Sequence, residues 1–126
     1  MYIFTLVGDV EKVLEKLRLQ HGDFALAMLF NSALNVESSW NLIVAALWLD
    51  SMRLIDATRL VAQALHQDLG LENKVAISRV TVLRTDDPFV REMTNLYPVT
   101  TPSPIQNFAA GELEGSGFVF YSQAAA

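Results

Sequence analysis

The chain has 126 residues, of which 52 % are hydrophobic and 18 % charged, and its formal net charge is −5. This length suits one domain with a sizeable core, and the absence of cysteine excludes disulfides, a thiolate nucleophile and a thiolate zinc site. The nine Lys and Arg residues are spread singly rather than clustered, so we expect neither nucleic-acid binding nor attraction to an anionic membrane.

The longest apolar run, residues 42–49, is much shorter than the roughly 20 residues that span a bilayer. The N-terminal segment has no basic stretch before its apolar residues and therefore does not resemble a secretory signal. We expect a soluble cytoplasmic protein, with residues 1–126 forming a single domain.

Two segments near the N-terminus set up the first half of the fold. Residues 9–20 have helical periodicity, and the stripe extends backward, so the helix is predicted to begin near residue 2, with a short strand over residues 2–7 as the alternative. Apolar runs at 24–30 and 42–48 are predicted to be strands, the first because its side chains alternate in size. By periodicity alone, both runs could also be buried helices.

The strongest helical pattern covers residues 51–69, with Asp50 or Ser51 as its cap and Gly70 as its stop. A strand at 76–84 and a helix at 88–97 follow. Residues 98–104 form an extended, proline-rich connection to a C-terminal hairpin whose turn region contains Gly115-Ser116-Gly117, and residues 123–126 are expected to be a disordered tail.

The predicted order of elements is therefore α-β-β-α-β-α-β-β. It indicates an α/β or α+β fold with two layers, in which a single mixed sheet of about five strands carries three helices mainly on one side. The helix between the strands at 42–48 and 76–84 is long enough to cross over and make those strands parallel neighbours.

An acidic pair precedes the last helix. Asp87 stands directly before Pro88, which suits the first helical position, so Asp87 is predicted to cap the helix, with Asp86 stabilised by the helix dipole. The alternative is a Mg²⁺ or Mn²⁺ site, with Asp50 as a remote third ligand at the same edge of the sheet. In that case Arg79 or Arg84 would bind a substrate anion.

Arg79 has a second interpretation. It shares a strand face with Thr81, Ile77 and Leu83, so its charge needs a carboxylate such as Glu112 or Glu114, an open solvated face, or a ligand anion. His21 and His66 occupy different elements without metal-ligand spacing, and they are predicted to be structural. The glycines at 111–117 lack the lysine and helix of a phosphate loop, and they indicate a hairpin turn.

Sparse charge and a surplus of apolar residues indicate an exposed patch. The residues predicted to form it are Trp40, Trp48, Met52, Leu60, Phe118, Phe120 and Tyr121. The leading functional hypothesis is a non-enzymatic interaction or regulatory module, without a cofactor, that binds a second copy or another protein. The competing hypothesis is a divalent-metal-dependent enzyme acting on a small molecule that contains phosphate.

Overall fold

The computed structural model describes residues 2–32, 40–69, 77–99, 103–110 and 113–123. Four helices and five strands lie within these ranges. In chain order they are α1 (Tyr2–His21), β1 (Leu26–Ser32), β2 (Trp40–Ala45), α2 (Leu47–Asp50), α3 (Leu54–Asp68), β3 (Ile77–Val82), α4 (Pro88–Leu96), β4 (Ser103–Ala110) and β5 (Leu113–Ser122).

The five strands form one sheet in the order β3-β2-β1-β5-β4. Strands β2 and β3 are parallel, and the other three neighbouring pairs are antiparallel. The helix α3 connects the two parallel strands, as the sequence predicts. The single mixed sheet and the α+β class are confirmed, and the described residues contain one helix more than predicted because α2 adds a single turn.

The first helix begins at Tyr2, so the alternative of a strand at residues 2–7 is wrong. Its apolar stripe explains why. Leu6, Val10, Val13 and Leu17 follow a 3–4 spacing, and all are buried against the sheet and α3. The helix stops at Gly22, whose φ of 133° lies in the region that favours glycine.

Helices cover both faces of the sheet, although the two long ones share a face as predicted. α1 and α3 pack on the face that presents Leu29 and Leu42, whereas α4 packs on the face that presents Met28 and Ile43. Residues 26–30 are all buried, on both sides of β1. The prediction of two layers is therefore corrected, because a central strand with two apolar faces needs cover on each side.

The predicted strand at 42–48 ends earlier, at Ala45, and residues 47–50 turn into α2. Trp48 is held there by distant partners: its ring stacks on His21 with centroids 4.7 Å apart, and its Nε1 donates to the Gly22 carbonyl at 3.0 Å. The next helix, α3, accordingly begins at Leu54 rather than at residue 51. Its N-cap is Arg53, which makes no side-chain cap, so the prediction that Asp50 or Ser51 caps it is wrong.

The C-terminal hairpin is confirmed, but its reversal is not at Gly115-Ser116-Gly117. Gly115 and Gly117 lie within β5, whereas residues 111–112 and Gly70 lie outside the described residues. Of the predicted tail at 123–126, the structure describes only Gln123, whose backbone N–H donates to the Ala25 carbonyl at 2.9 Å. Gly117 lies within β5, where an added Cβ would stand 2.2 Å from the Leu29 carbonyl oxygen. This glycine therefore serves a close approach of two strands rather than a turn.

Among the described residues, none of the helices combines the length and the apolar character that crossing a membrane requires.

Candidate functional site: a cleft at the carboxyl ends of the parallel strands

The parallel pair β2 and β3 ends at one edge of the sheet, where ligands commonly bind in open α/β sheets. A cleft of about 310 Å³ opens there, between the segment that follows β2 and the loop that follows β3. Its lining is apolar except for two aspartates and one arginine. The lining residues are Leu49, Asp50, Met52, Leu54, Ala57, Val82, Leu83, Arg84 and Asp87. The cleft thus combines charged groups with an apolar floor.

Asp50 joins the two segments that border the cleft. It follows β2 in sequence, and its carboxylate accepts hydrogen bonds from Thr85, which follows β3. The Thr85 backbone N–H lies 3.1 Å from Oδ1, and the Thr85 hydroxyl donates to Oδ2. A carboxylate with two such donors is firmly oriented. Asp50 therefore links the segment after β2 to the loop after β3, and these two segments form the walls of the cleft.

Asp87 caps α4, which confirms the prediction for this residue. Its Oδ1 accepts a hydrogen bond from the backbone N–H of Phe89 at 2.9 Å, and Pro88 occupies the first turn. Asp87 also lines the cleft. Its second oxygen, Oδ2, has no hydrogen-bond partner among the residues that the structure describes.

Asp86 pairs with Arg84 through Nε at 3.1 Å, with more than half of each side chain exposed. An exposed pair of this kind contributes little to stability, commonly less than about 1 kcal/mol. The pair lies at the cleft, because Arg84 is one of the lining residues. In the described part of the chain, the two Nη nitrogens of Arg84 make no hydrogen bond.

The three aspartates predicted as metal ligands are thus brought to one edge of the sheet, but each is used differently. Within the described ranges, no three or more histidine, cysteine, aspartate or glutamate side chains gather closely enough to share a metal ion. Asp50, Asp86 and Asp87 engage Thr85, Arg84 and the start of α4, respectively.

The other predicted anion-binding residue, Arg79, lies apart from the cleft lining. It is exposed on β3, an edge strand, so its charge is solvated; Glu112 and the Glu114 side chain lie outside what the structure describes. A shift in the β2–β3 register puts Ile77 against the α1 and α3 face with Val80, rather than beside Arg79. On the other face, Thr81 donates a hydrogen bond to Asn41 at 3.0 Å.

The residues predicted to form an apolar patch lie mostly in contact with the core. Phe120 is only 1 % exposed, which leaves it no surface to offer a partner in this fold. Trp40, Trp48, Met52, Phe118 and Tyr121 are half-buried and pack against the same core cluster, and Leu60 is also half-buried.

Among the residues whose exposure the structure describes, five other large apolar side chains are more than half exposed: Leu19, Leu47, Leu54, Ile55 and Leu96. The helical pattern at 51–69 predicts that one stripe runs through Leu54, Thr58, Val61, Leu65 and Leu69. The buried stripe of α3 instead runs through Ala57, Val61 and Leu65. The sequence did indicate that one of these residues is exposed, because Leu54 and Ile55 are adjacent and cannot both point into one stripe.

One polar network lies far from the cleft and ties β5 to α1. The Tyr121 hydroxyl donates to Glu15 at 2.9 Å, and Arg18 pairs with both Glu15 and Asp23. The hydrogen bonds from Arg18 and Tyr121 lower the pKa of Glu15 to about 2. Burial and the bond to Glu15 raise the pKa of Tyr121 to about 12. The hydrogen bonds from Arg18 to Glu15 and to Asp23 hold the pKa of Arg18 above its usual range.

Comparison with known proteins adds no relative: no protein-family model, no curated protein and no solved structure matches this chain.

Proposed function

We propose that the chain is a non-enzymatic interaction or regulatory module that self-associates and works in the cytoplasm. The observation that carries this proposal is the pair of adjacent apolar side chains at the start of α3. Leu54 is 66 % exposed and Ile55 is 56 % exposed. Contiguous exposed apolar surface of this kind is typical of protein interfaces, whereas single exposed residues are ordinary.

The surface around Leu54 and Ile55 is a better candidate interface than the one around Leu19. Leu54 lines the cleft together with the half-buried Met52, so the apolar surface continues beyond the helix. Leu19 is 72 % exposed, but the groove that it lines is otherwise polar and mostly charged. Interfaces are depleted of charge at their centres, so a second copy is expected on the α3 surface.

Light scattering over a concentration series tests this proposal. The wild type is expected to have the mass of two chains and to dissociate on dilution. The double variant Leu54→Lys, Ile55→Lys should be monomeric, since two charges would be buried without partners. Leu19→Lys, the matched control, should remain dimeric. A wild type that is monomeric at every concentration would overturn the proposal, and so would a dimer that the double variant leaves intact.

The competing candidate remains an enzyme that uses a divalent metal on a substrate containing phosphate. It is favoured by the convergence of Asp50, Asp87 and Arg84 on one cleft. Thermal melting with Mg²⁺ or Mn²⁺ separates the two, because an ion specific to the native state raises the melting temperature. A rise that Asp50→Asn abolishes would favour the enzyme. Under the leading proposal, neither ion changes the melting temperature.

A further inference from the structure

The cleft holds two groups of opposite charge, and each has atoms that make no hydrogen bond to the described residues. Arg84 engages Asp86 through Nε alone, which leaves both of its Nη nitrogens without a hydrogen bond to the described residues. Asp87 uses only Oδ1 to cap α4, and its Oδ2 likewise makes no hydrogen bond to the described residues. Arg84 pairs with Asp86 and not with Asp87, although Arg84 and Asp87 line the same cleft. A cation and an anion are therefore both available to a ligand.

Apart from Asp50, the other residues that line the cleft are apolar, and two of them, Leu49 and Ala57, are buried at 2 % and 1 % exposure. A volume of about 310 Å³ is at the small end of the range for ligand pockets, roughly 300–1,000 Å³. The ligand that fits this lining is small, with an apolar body and both charges close together.

From this arrangement, we infer that the cleft binds an apolar α-amino acid as its zwitterion. The carboxylate accepts hydrogen bonds from the Nη nitrogens of Arg84, whose planar fork suits a carboxylate. The ammonium group pairs with Oδ2 of Asp87, and the side chain covers the apolar floor. Asp50, already oriented by Thr85, is a second carboxylate in the lining of the cleft.

The same charges disfavour other ligands. A phosphate dianion would meet Arg84 but also the carboxylates of Asp50 and Asp87, and repulsion from two carboxylates opposes its binding. A bare divalent cation would be repelled by the positive charge of the Arg84 guanidinium. A molecule with both charges places an opposite charge beside Arg84 and beside Asp87 at once.

Melting curves and calorimetry with four probes test the inference: L-leucine, leucinamide, N-acetylleucine and glycine. Leucinamide lacks the carboxylate, N-acetylleucine lacks the ammonium group, and glycine lacks the apolar body. L-leucine at millimolar concentration is expected to raise the melting temperature and to bind at least tenfold more tightly than each of the other three. No response to L-leucine, or an equal response to leucinamide or N-acetylleucine, would overturn the inference.

Variants then locate the site. Arg84→Gln removes the cation, and Asp87→Ser removes the anion while keeping a hydroxyl that can cap α4. Each should weaken L-leucine binding at least tenfold. Arg79→Gln, which removes an exposed arginine of β3 outside the cleft, is the matched control and should bind as the wild type does. Equal binding by Arg84→Gln would overturn the assignment. Binding and self-association are measured separately, so failure of one does not imply failure of the other.

Discussion

The centre of the sheet and its carboxyl edge are held together by different forces. At the centre, β1 is buried on both faces between two core clusters, and its stability comes from close packing. At the edge, the Asp50 carboxylate after β2 accepts hydrogen bonds from Thr85 after β3, and the Asp87 carboxylate accepts one from the Phe89 N–H at the start of α4. The centre therefore tolerates almost no added volume, whereas the edge can lose a charge and keep its fold. A binding site fits the second kind of region better.

The largest expected effect comes from adding one carbon atom to the centre. In Gly117→Ala the new Cβ would lie 2.2 Å from the Leu29 carbonyl oxygen, so β1 and β5 would have to separate. We expect a loss of about 3 kcal/mol in the free energy of unfolding, at the upper end for overpacking. Urea denaturation measures this loss.

Gly8→Ala is the matched control for this substitution. Nothing lies within 4 Å of a Cβ at Gly8, which is in the α1 helix, so alanine should stabilise the chain by about 1 kcal/mol. If the two substitutions had similar effects, the close approach of β1 and β5 would not limit the centre of the sheet.

A smaller effect is expected at the edge. Asp87→Ala removes the acceptor for the Phe89 N–H and should cost about 1 kcal/mol in urea denaturation. Asp87→Ser should recover most of this loss, because a hydroxyl can accept the same hydrogen bond. Asp86→Ala serves as a control and should change stability by less than about 0.5 kcal/mol, since only an exposed ion pair is lost. A larger loss in Asp86→Ala than in Asp87→Ala would contradict the cap.

The smallest effect concerns pH and the contact between β5 and α1. Tyr121 has a pKa raised from 10.0 to about 12, so its bond to Glu15 stabilises the fold below pH 10 and is lost as pH rises through about 12. Glu15 has a pKa lowered from 4.5 to about 2, so its contribution is present above pH 4.5 and is lost as pH falls through about 2. Between these limits the contact is intact.

Tyr121→Phe isolates this contribution. The stability difference between wild type and variant should be greatest near neutral pH and should shrink at both extremes. Ultraviolet titration gives a second readout, because the chain has only three tyrosines and the difference spectrum reports Tyr121 alone. A midpoint near pH 10 in that spectrum would show that the hydroxyl does not donate to Glu15.

What could be predicted from the sequence was the local chemistry and the order of elements. Asp87 and Pro88 specify the start of α4 by themselves, and the helical segment between two apolar runs predicts the parallel pair. The end of β2 could not be predicted, because residues 45–49 are all apolar and contain no local stop. The chain turns there because Trp48 contacts His21 and Gly22, more than 25 residues away in sequence.

The candidate site was also predictable only in part, because some of its contacts depend on loop geometry. The sequence places Asp50 and Asp86 at one edge once β2 and β3 are taken as parallel neighbours. It does not show that Thr85 binds Asp50 or that Arg84 selects Asp86 over Asp87, since those choices depend on loop geometry. The exposure of Leu54 likewise follows from the late start of α3, which distant contacts determine.

The pairing of β1 with β5 bears on how the chain is made in the cell. Leu29 lies beside Phe118, so a strand synthesised early must wait for nearly 90 more residues before one of its two neighbours leaves the ribosome. Until then its backbone edge is open and its apolar row is uncovered, a combination that invites aggregation. A messenger truncated before β5 should therefore yield an insoluble product or one that depends on chaperones, rather than a smaller folded domain.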